Sequence, residues 1–306
     1  MQQRKLKIYF TSDVHGYFYP TTYGDMTEKN VGLFGCAGNF KKDEDTLILD
    51  GGDILQGSAF AYYCRQVADS PEVIADIMND CGYDYYTLGN HDFNYGREQQ
   101  AADRSRNNGV CVCQNITDEA GNTLFPWKLH TMKNGLRVGI VGIVTDYVNI
   151  WEKEENLKGI HITDPFEAAK NALAQMKEQT DLTICIYHGG FECDLESGET
   201  LSQTTENVGY RICKELDFDI LLTGHQHMSV TGRDISGTYT VQPCDNAKEY
   251  QYLEVTMTDH EKSIRSELRQ SDAAKGTVLA DKYRSTENAV QAWLNPPVGP
   301  VTLAPP

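Results

Sequence analysis

Five apolar, strand-like runs in this chain each end in a loop that joins glycine to a carboxylate, histidine or asparagine. That repetition constrains the fold more than any single motif does. Leu6 to Thr11 leads into Ser12-Asp13-Val14-His15-Gly16, and Thr46 to Asp50 into Gly51-Gly52-Asp53. Asp84 to Leu88 leads into Gly89-Asn90-His91-Asp92, Asp181 to Tyr187 into His188-Gly189-Gly190, and Asp219 to Thr223 into Gly224-His225-Gln226-His227. Stretches of helical spacing lie among them, at Val31 to Lys42, Ala59 to Ala68, Pro71 to Cys81, Arg97 to Asn107 and Asp164 to Gln179. Alternating strands and helices build parallel sheets, whose ligands bind beyond the carboxyl ends of the strands. An α/β architecture with its polar loops gathered at one edge is therefore expected.

The residue types in those loops suit metal and proton chemistry. Asp13 and His15 stand at i and i+2, on the same side of an extended chain, so both can face one ion. His225 and His227 repeat the spacing. The Asp53 carboxylate can bridge two cations, which a neutral ligand does poorly. The Asn90 amide oxygen is a hard ligand, and His91 titrates near neutrality and can give or take a proton. Each motif alone is also explained as a turn in which an Asp or Asn caps the next helix, and His188 alone as a satisfied edge histidine. Five of the eight histidines follow predicted strands; His130, His161 and His260 do not and read as surface or packing residues.

Further strands are expected at Val110 to Ile116, with Cys111 and Cys113 on one face, and at Arg137 to Val144, whose unbroken apolar run suggests burial on both faces. From Tyr239 to Val241, Tyr250 to Asp259 and Ser263 to Arg269 the pattern alternates without intervening helices, so antiparallel strands should complete mixed sheets. Tyr283 to Leu294 reads as a closing helix. One domain over 1–294 follows, with 295–306 as a proline-rich linker or tail.

With 306 residues and 40% hydrophobic content the chain can bury a large core. A formal charge of −17 excludes the basic face that polymeric nucleic acid or an anionic membrane would need, while a small anionic substrate stays open because bound metals reverse the local field. Nine cysteines without a C-x-x-C pair give neither a zinc knuckle nor a redox motif, and Cys185 reads as a core residue. No apolar stretch approaches the roughly 20 residues of a membrane span. The first residues carry no secretory leader, which favours a cytoplasmic setting; a secreted or cell-surface one stays open if a leader was removed. Oligomeric state is not legible.

Taken together, Asp13-x-His15, Gly52-Asp53, Gly89-Asn90-His91-Asp92, His188 and Gly224-His225-x-His227 resemble the calcineurin-like metallophosphoesterase superfamily, over nearly all of residues 5 to 260. The resemblance implies a four-layered α/β-β/α sandwich and two divalent metal ions, with Mn²⁺ favoured and Zn²⁺, Fe or Co²⁺ open. Asp13, His15 and His227 would hold the first ion, Asn90, His188 and His225 the second, and Asp53 would bridge them. Such a pair clamps a phosphate and presents a bridging hydroxide for in-line attack. His91 would protonate the leaving oxygen, with Asn90 and Asp92 in the same catalytic group, and Asn90, His91 and Asn94 would face the substrate.

The phrases around His15, His91 and His188-Gly189-Gly190-Phe191-Glu192 are similar to the bacterial 5′-nucleotidase and 2′,3′-cyclic-nucleotide phosphodiesterase group. That group usually has an aspartate in its 5′-nucleotidase branch where this chain has Asn94; asparagine there is similar to the cyclic phosphodiesterase/3′-nucleotidase branch. An amide accepts a hydrogen bond from imidazole but does not stabilise the imidazolium as a carboxylate does. Members of the group carry a C-terminal nucleobase-stacking domain that these residues do not supply, so weak, unselective nucleotide turnover is expected. Two alternatives stand beside a nucleotide substrate: a sugar phosphate or nucleotide-sugar, and a metal-binding module acting through partner recognition.

Overall fold

The structure, a computed structural model, describes residues 3–25, 27–258 and 261–295. Nearly all of the proline-rich segment expected over 295–306, and His260, lie outside the described residues. The strands in chain order are β1 (Arg4–Thr11), β2 (Thr46–Asp50), β3 (Tyr85–Tyr86), β4 (Val110–Cys111), β5 (Cys113–Asp118), β6 (Thr123–Phe125), β7 (Lys128–Thr131) and β8 (Arg137–Val144). They continue with β9 (Ile160–Ile162), β10 (Leu182–His188), β11 (Ile220–Thr223), β12 (Val230–Ile235), β13 (Thr238–Gln242), β14 (Glu249–Met257) and β15 (Lys262–Gln270).

One six-stranded sheet has the order β15-β14-β1-β2-β3-β4, in which β1 to β4 run parallel and β14 and β15 antiparallel. The other has the order β12-β13-β11-β10-β8-β7, parallel at its centre and antiparallel at both edges. A small antiparallel sheet, β6-β5-β9, stands apart from both.

Side-chain alternation sorts the layers. Leu6, Ile8 and Phe10 of β1 meet Leu182, Ile184 and Ile186 of β10 in the core between the two large sheets. The odd positions point outward: Tyr9 packs with Leu33, Ile74, Ile77 and Val290 of the helices on one side, and Cys185 and Tyr187 with Phe166, Leu173 and Ile212 of the helices on the other. Helix, sheet, sheet, helix is the four-layered α/β-β/α arrangement, mixed in strand direction as expected. The best-formed outer helix, Pro165–Met176, begins where Asp164 accepts a hydrogen bond from Glu167 N and proline occupies the first turn.

Several boundaries differ from expectation, for reasons of packing. The strand expected over Val110 to Ile116 divides at Val112, because the chain there crosses tightly over β8. A Cβ on Gly142 would lie 1.9 Å from the Val112 carbonyl oxygen. Cys111 and Cys113 thus belong to different sheets. The helix expected over Val31 to Lys42 is only Leu33–Ala37, since the following turn presses Gly38 onto the backbone of Lys275. Ala59 to Ala68 is one α-turn followed by a wider π-turn at Tyr63–Val67.

The parallel registers matter most for function. Thr11 pairs with Asp50 and Asp50 with Tyr86, so β1, β2 and β3 end level with one another; β10 and β11 do the same in the facing sheet. All five glycine-bearing loops therefore leave the same end of the sandwich.

Candidate metal centre

Backbone geometry at that end is unusual. Asp13, His15, Asp53, His225 and His227 have φ of 54°, 51°, 59°, 70° and 55°, half of the ten non-glycine residues with positive φ among the described residues. Each such conformation costs on the order of 1 kcal/mol or more, and clusters of them occur where the surrounding structure enforces a functional placement. The enforcement is visible: Asp13 N donates to Gly52 O at 2.9 Å and His15 N to Asp53 O at 2.7 Å, locking the first two loops together. Gly224 permits the third approach, since a Cβ there would fall 2.1 Å from Ser12 Oγ.

Two donor groups result, Asp13–His15–His227 and Asp13–Asp53–His188, each with its ligand atoms within 4.8 Å of one another. In the first, His15 Nε2 lies 3.0 Å from His227 Nε2, which lies 3.4 Å from Asp13 Oδ1. In the second, His188 Nε2 is 3.2 Å from Asp53 Oδ2 and 3.1 Å from Asn90 Oδ1. His15 Nδ1 donates to Gln56 O and His188 Nδ1 to Gly51 O, at 2.9 and 2.6 Å, so each ring turns its Nε2 inward, where it is free to face a cation. Backbone carbonyls commonly hold metal-ligating histidines in this way. Imidazole, carboxylate and amide groups turned toward one another need a positive charge among them, supplied by ring protons in the metal-free protein or by a cation in their place, and this mixed set suits first-row divalent ions.

Six of the seven expected ligands converge, and His225 is set differently. Its backbone N–H donates to Asp13 Oδ2 at 2.9 Å and its ring stands 5.4 Å from that of His188, but its Nε2 faces Glu206 Oε1 at 3.0 Å. Any metal contact from this ring would use Nδ1. The shared member of the two groups is Asp13, whereas the resemblance gives the bridging place to Asp53.

Electrostatics follows burial and pairing. Burial works to lower the His188 pKa, yet Asp53 and Asp13 outweigh it and raise it to about 10. In turn, and against their own burial, Asp13 and Asp53 sit below the usual carboxylate range beside His188. His227 is raised by its bond to Asp13, and His225 is lowered by burial and by His188. The His188 pKa is raised from 6.5, so its charge pairing stabilises the metal-free protein fully below that value and is lost as pH rises through about 10. A metal must displace that proton. Mn²⁺ binding at pH 7–8 is expected to release protons and to tighten as pH rises. Titration calorimetry in two buffers of different ionisation enthalpy checks this, and identical heats would contradict it.

His91 stands at the mouth of the donor set, its ring 5.4 Å from that of His15. Its N–H donates to Asp53 Oδ1 at 2.7 Å and its Nδ1 lies 2.8 Å from Asn94 Oδ1. Asp92, expected in the catalytic group, is placed otherwise. It is buried, and its two oxygens accept from the backbone N–H groups of Asp53, Ile54, Leu55 and Gly89 at 2.8 to 3.0 Å. A carboxylate so fully engaged ties the loops of β2 and β3 together, and the residue reaching His91 is Asn94. His130 packs against Tyr85, and His161 is exposed on β9.

Beside these groups opens a cavity of about 450 Å³, lined in part by Asn90, His91, Asn94, Trp151, Glu152 and Glu206. The last three were not anticipated. Trp151 ends the short helix Val148–Trp151 and stacks on His225 at 5.5 Å, while Glu206 lies in an irregular polar loop. Neither stretch has periodicity or ligand spacing, so their sequence carries no signal for the placement.

Similarity to known proteins agrees with this arrangement. The chain is 29% identical over 252 residues to the trifunctional nucleotide phosphoesterase protein YfkN of Bacillus subtilis (strain 168), covering 74% of this chain and 17% of that one. To the 2′,3′-cyclic-nucleotide 2′-phosphodiesterase/3′-nucleotidase of Yersinia enterocolitica it is 26% identical over 262 residues, covering 79% and 39%. The chain thus spans less than half the length of these curated relatives. A solved structure of a candidate 5′-nucleotidase from Staphylococcus aureus superposes with a TM-score of 0.87 at 28% identity, covering 94% of this chain and 58% of that one. No helix among the described residues is long and apolar enough to cross a membrane. The family model for calcineurin-like phosphoesterases matches residues 6–229, a span that holds every loop of the donor set from Asp13 to His227, and the chain belongs to that family.

Proposed function

We propose that this chain is the catalytic unit of a dinuclear-metal phosphoesterase that hydrolyses nucleotide phosphate esters, of the 5′-nucleotidase or 2′,3′-cyclic-nucleotide 2′-phosphodiesterase/3′-nucleotidase type. The observation that carries the reading is His91, held by Asn94 at the rim of a convergent Asp, His and Asn set. Asp13, His15 and His227 would bind one ion and Asn90, His188 and His225 the other, with Asp53 between them. Bound divalent ions supply Lewis-acid stabilisation of phosphoryl charge and acidify a water.

The chain's own residues do the rest. Asp53 accepts the His91 N–H and so fixes the distance between the general acid and the donor set. Asn94 Oδ1 accepts a hydrogen bond from His91 Nδ1–H, which leaves Nε2 as the atom that delivers a proton to the departing oxygen. Asp92 holds the loops that carry both. Trp151 offers a half-exposed aromatic wall on the cavity, which suits a nucleoside or aryl leaving group better than a sugar. The names of the relatives favour nucleotide esters in the same way.

Metal-stripped protein is expected to be inactive and to recover turnover of bis-p-nitrophenyl phosphate and p-nitrophenyl phosphate when Mn²⁺ is returned. The diester-to-monoester ratio then selects which nucleotides to assay. Folded protein that binds Mn²⁺ stoichiometrically yet hydrolyses neither ester would favour the metal-binding module instead.

A further inference from the structure

We propose that Glu152 is a positioning residue for His91, acting through the Asn94 side chain. The inference rests on the general-acid reading of His91 and adds to it a third member that lies 58 residues beyond Asn94 in the chain.

The argument starts from the ambiguity of an amide. Asn94 can turn either its oxygen or its nitrogen toward the His91 ring, with nearly the same shape. The two orientations are not equivalent chemically. An imidazole that is to deliver a proton from Nε2 while Nδ1 also bears hydrogen needs an acceptor at Nδ1, and only the amide oxygen provides one. Turned the other way, the amide would present N–H to Nδ1 and select the opposite tautomer, with Nδ1 as an acceptor.

Glu152 decides between them. Asn94 Nδ2 lies 2.7 Å from Glu152 Oε2, and an ionised carboxylate is an acceptor only, so the amide nitrogen must face it and Oδ1 must face His91. Glu152 is itself held. Its Oε1 accepts from Lys153 N at 2.7 Å and from Asn156 Nδ2 at 2.9 Å, and Asn156 Nδ2 also reaches Asn94 O at 3.2 Å. Glu152 follows directly on the short helix Val148–Trp151, whose end is closed by its own N–H donating to Val148 O. The carboxylate therefore arrives from a fixed element. Glu152, Asn94 and His91 form a chain of hydrogen bonds in which a charge stands one residue back from the ring.

This arrangement predicts an interaction that a structural role would not produce. With Asn94→Asp the group facing His91 has no donor end, so no orientation has to be selected and Glu152 loses its task. The two carboxylates then face each other, and removing Glu152 should help.

The test is a double-mutant cycle of Glu152→Ala and Asn94→Asp, assayed as Mn²⁺-loaded full chain on p-nitrophenyl phosphate and on phenyl phosphate, whose leaving group needs the proton more. Glu152→Ala alone is expected to lower kcat on phenyl phosphate about tenfold, with a clearly smaller loss on the nitrophenyl ester and little change in KM. In the Asn94→Asp background the same change should cost nothing or restore rate. An equal loss on both esters, or an equal loss in both backgrounds, would overturn the proposal. His91→Ala separates the two readings. If it steepens the dependence on leaving group while Glu152→Ala does not, the relay fails and the general acid stands. If His91→Ala leaves that dependence unchanged, the general-acid reading fails and the relay with it.

Discussion

Asp53→Asn is expected to lower kcat of the Mn²⁺-loaded protein on bis-p-nitrophenyl phosphate by about 10²–10³, the range seen when one preorganised electrostatic contact to a transition state is removed. The substitution keeps shape and burial. Asparagine can still accept the His91 N–H that Asp53 Oδ1 takes at 2.7 Å, so the loop carrying His91 should stay in place. What goes is the negative charge, in a side chain only 1% exposed and 3.2 Å from His188 Nε2. If the amide nitrogen turns toward His188, a donor replaces the acceptor that the ring and any shared cation require. Bound Mn²⁺, counted by atomic absorption on the same samples, should fall from two toward one. The comparison with Asp13→Asn is informative, because Asp13 rather than Asp53 belongs to both donor groups. Retention of two ions and of rate in Asp53→Asn, with loss of both in Asp13→Asn, would move the bridging role to Asp13.

The contrast between what could and could not be read from the sequence has a physical basis. Leu6, Ile8 and Phe10 alternate with Lys7 and Tyr9, and the period of two announces a strand with one face in a core, which the structure places between the two sheets. Asp13, His15, Asp53, Asn90 and His188 were legible for a second reason: a glycine marks the strand exit and a ligand-type side chain stands beside it. Both signals are local. Glu152 and Glu206 carry no such mark, because each gains its place through contacts with residues 58 and 19 positions away in loops of irregular backbone. The division at Val112 was equally hidden, since it follows from the absence of a side chain at Gly142 in another strand. Asp92 shows a third case. Its position next to His91 suggested chemistry, but four backbone donors from two loops claim its carboxylate, and only the tertiary fold brings those donors together.

His91→Ala is expected to separate substrates by their leaving groups. A ribose oxygen departs badly as an anion, and a positioned proton donor is worth roughly 10² to 10⁴ in rate for such a bond. p-Nitrophenolate departs without a proton, so that benefit shrinks to a small factor. The variant should therefore lose about 10² or more in kcat on nucleotide esters while staying within about tenfold of wild type on p-nitrophenyl esters. Folding should not confuse the result. The His91 ring sits at the rim of the cavity, and the turn that carries it is held by its backbone N–H on Asp53 and by the Asp92 carboxylate, none of which the substitution removes. Mn²⁺ content should stay at the wild-type value, because His91 belongs to neither donor group. A uniform loss on every ester with metal retained would instead place His91 in substrate binding, where the ring would hold the phosphoryl group equally well whatever leaves. Loss of metal would make it a ligand through Nε2, against the present geometry, in which neither donor group includes it.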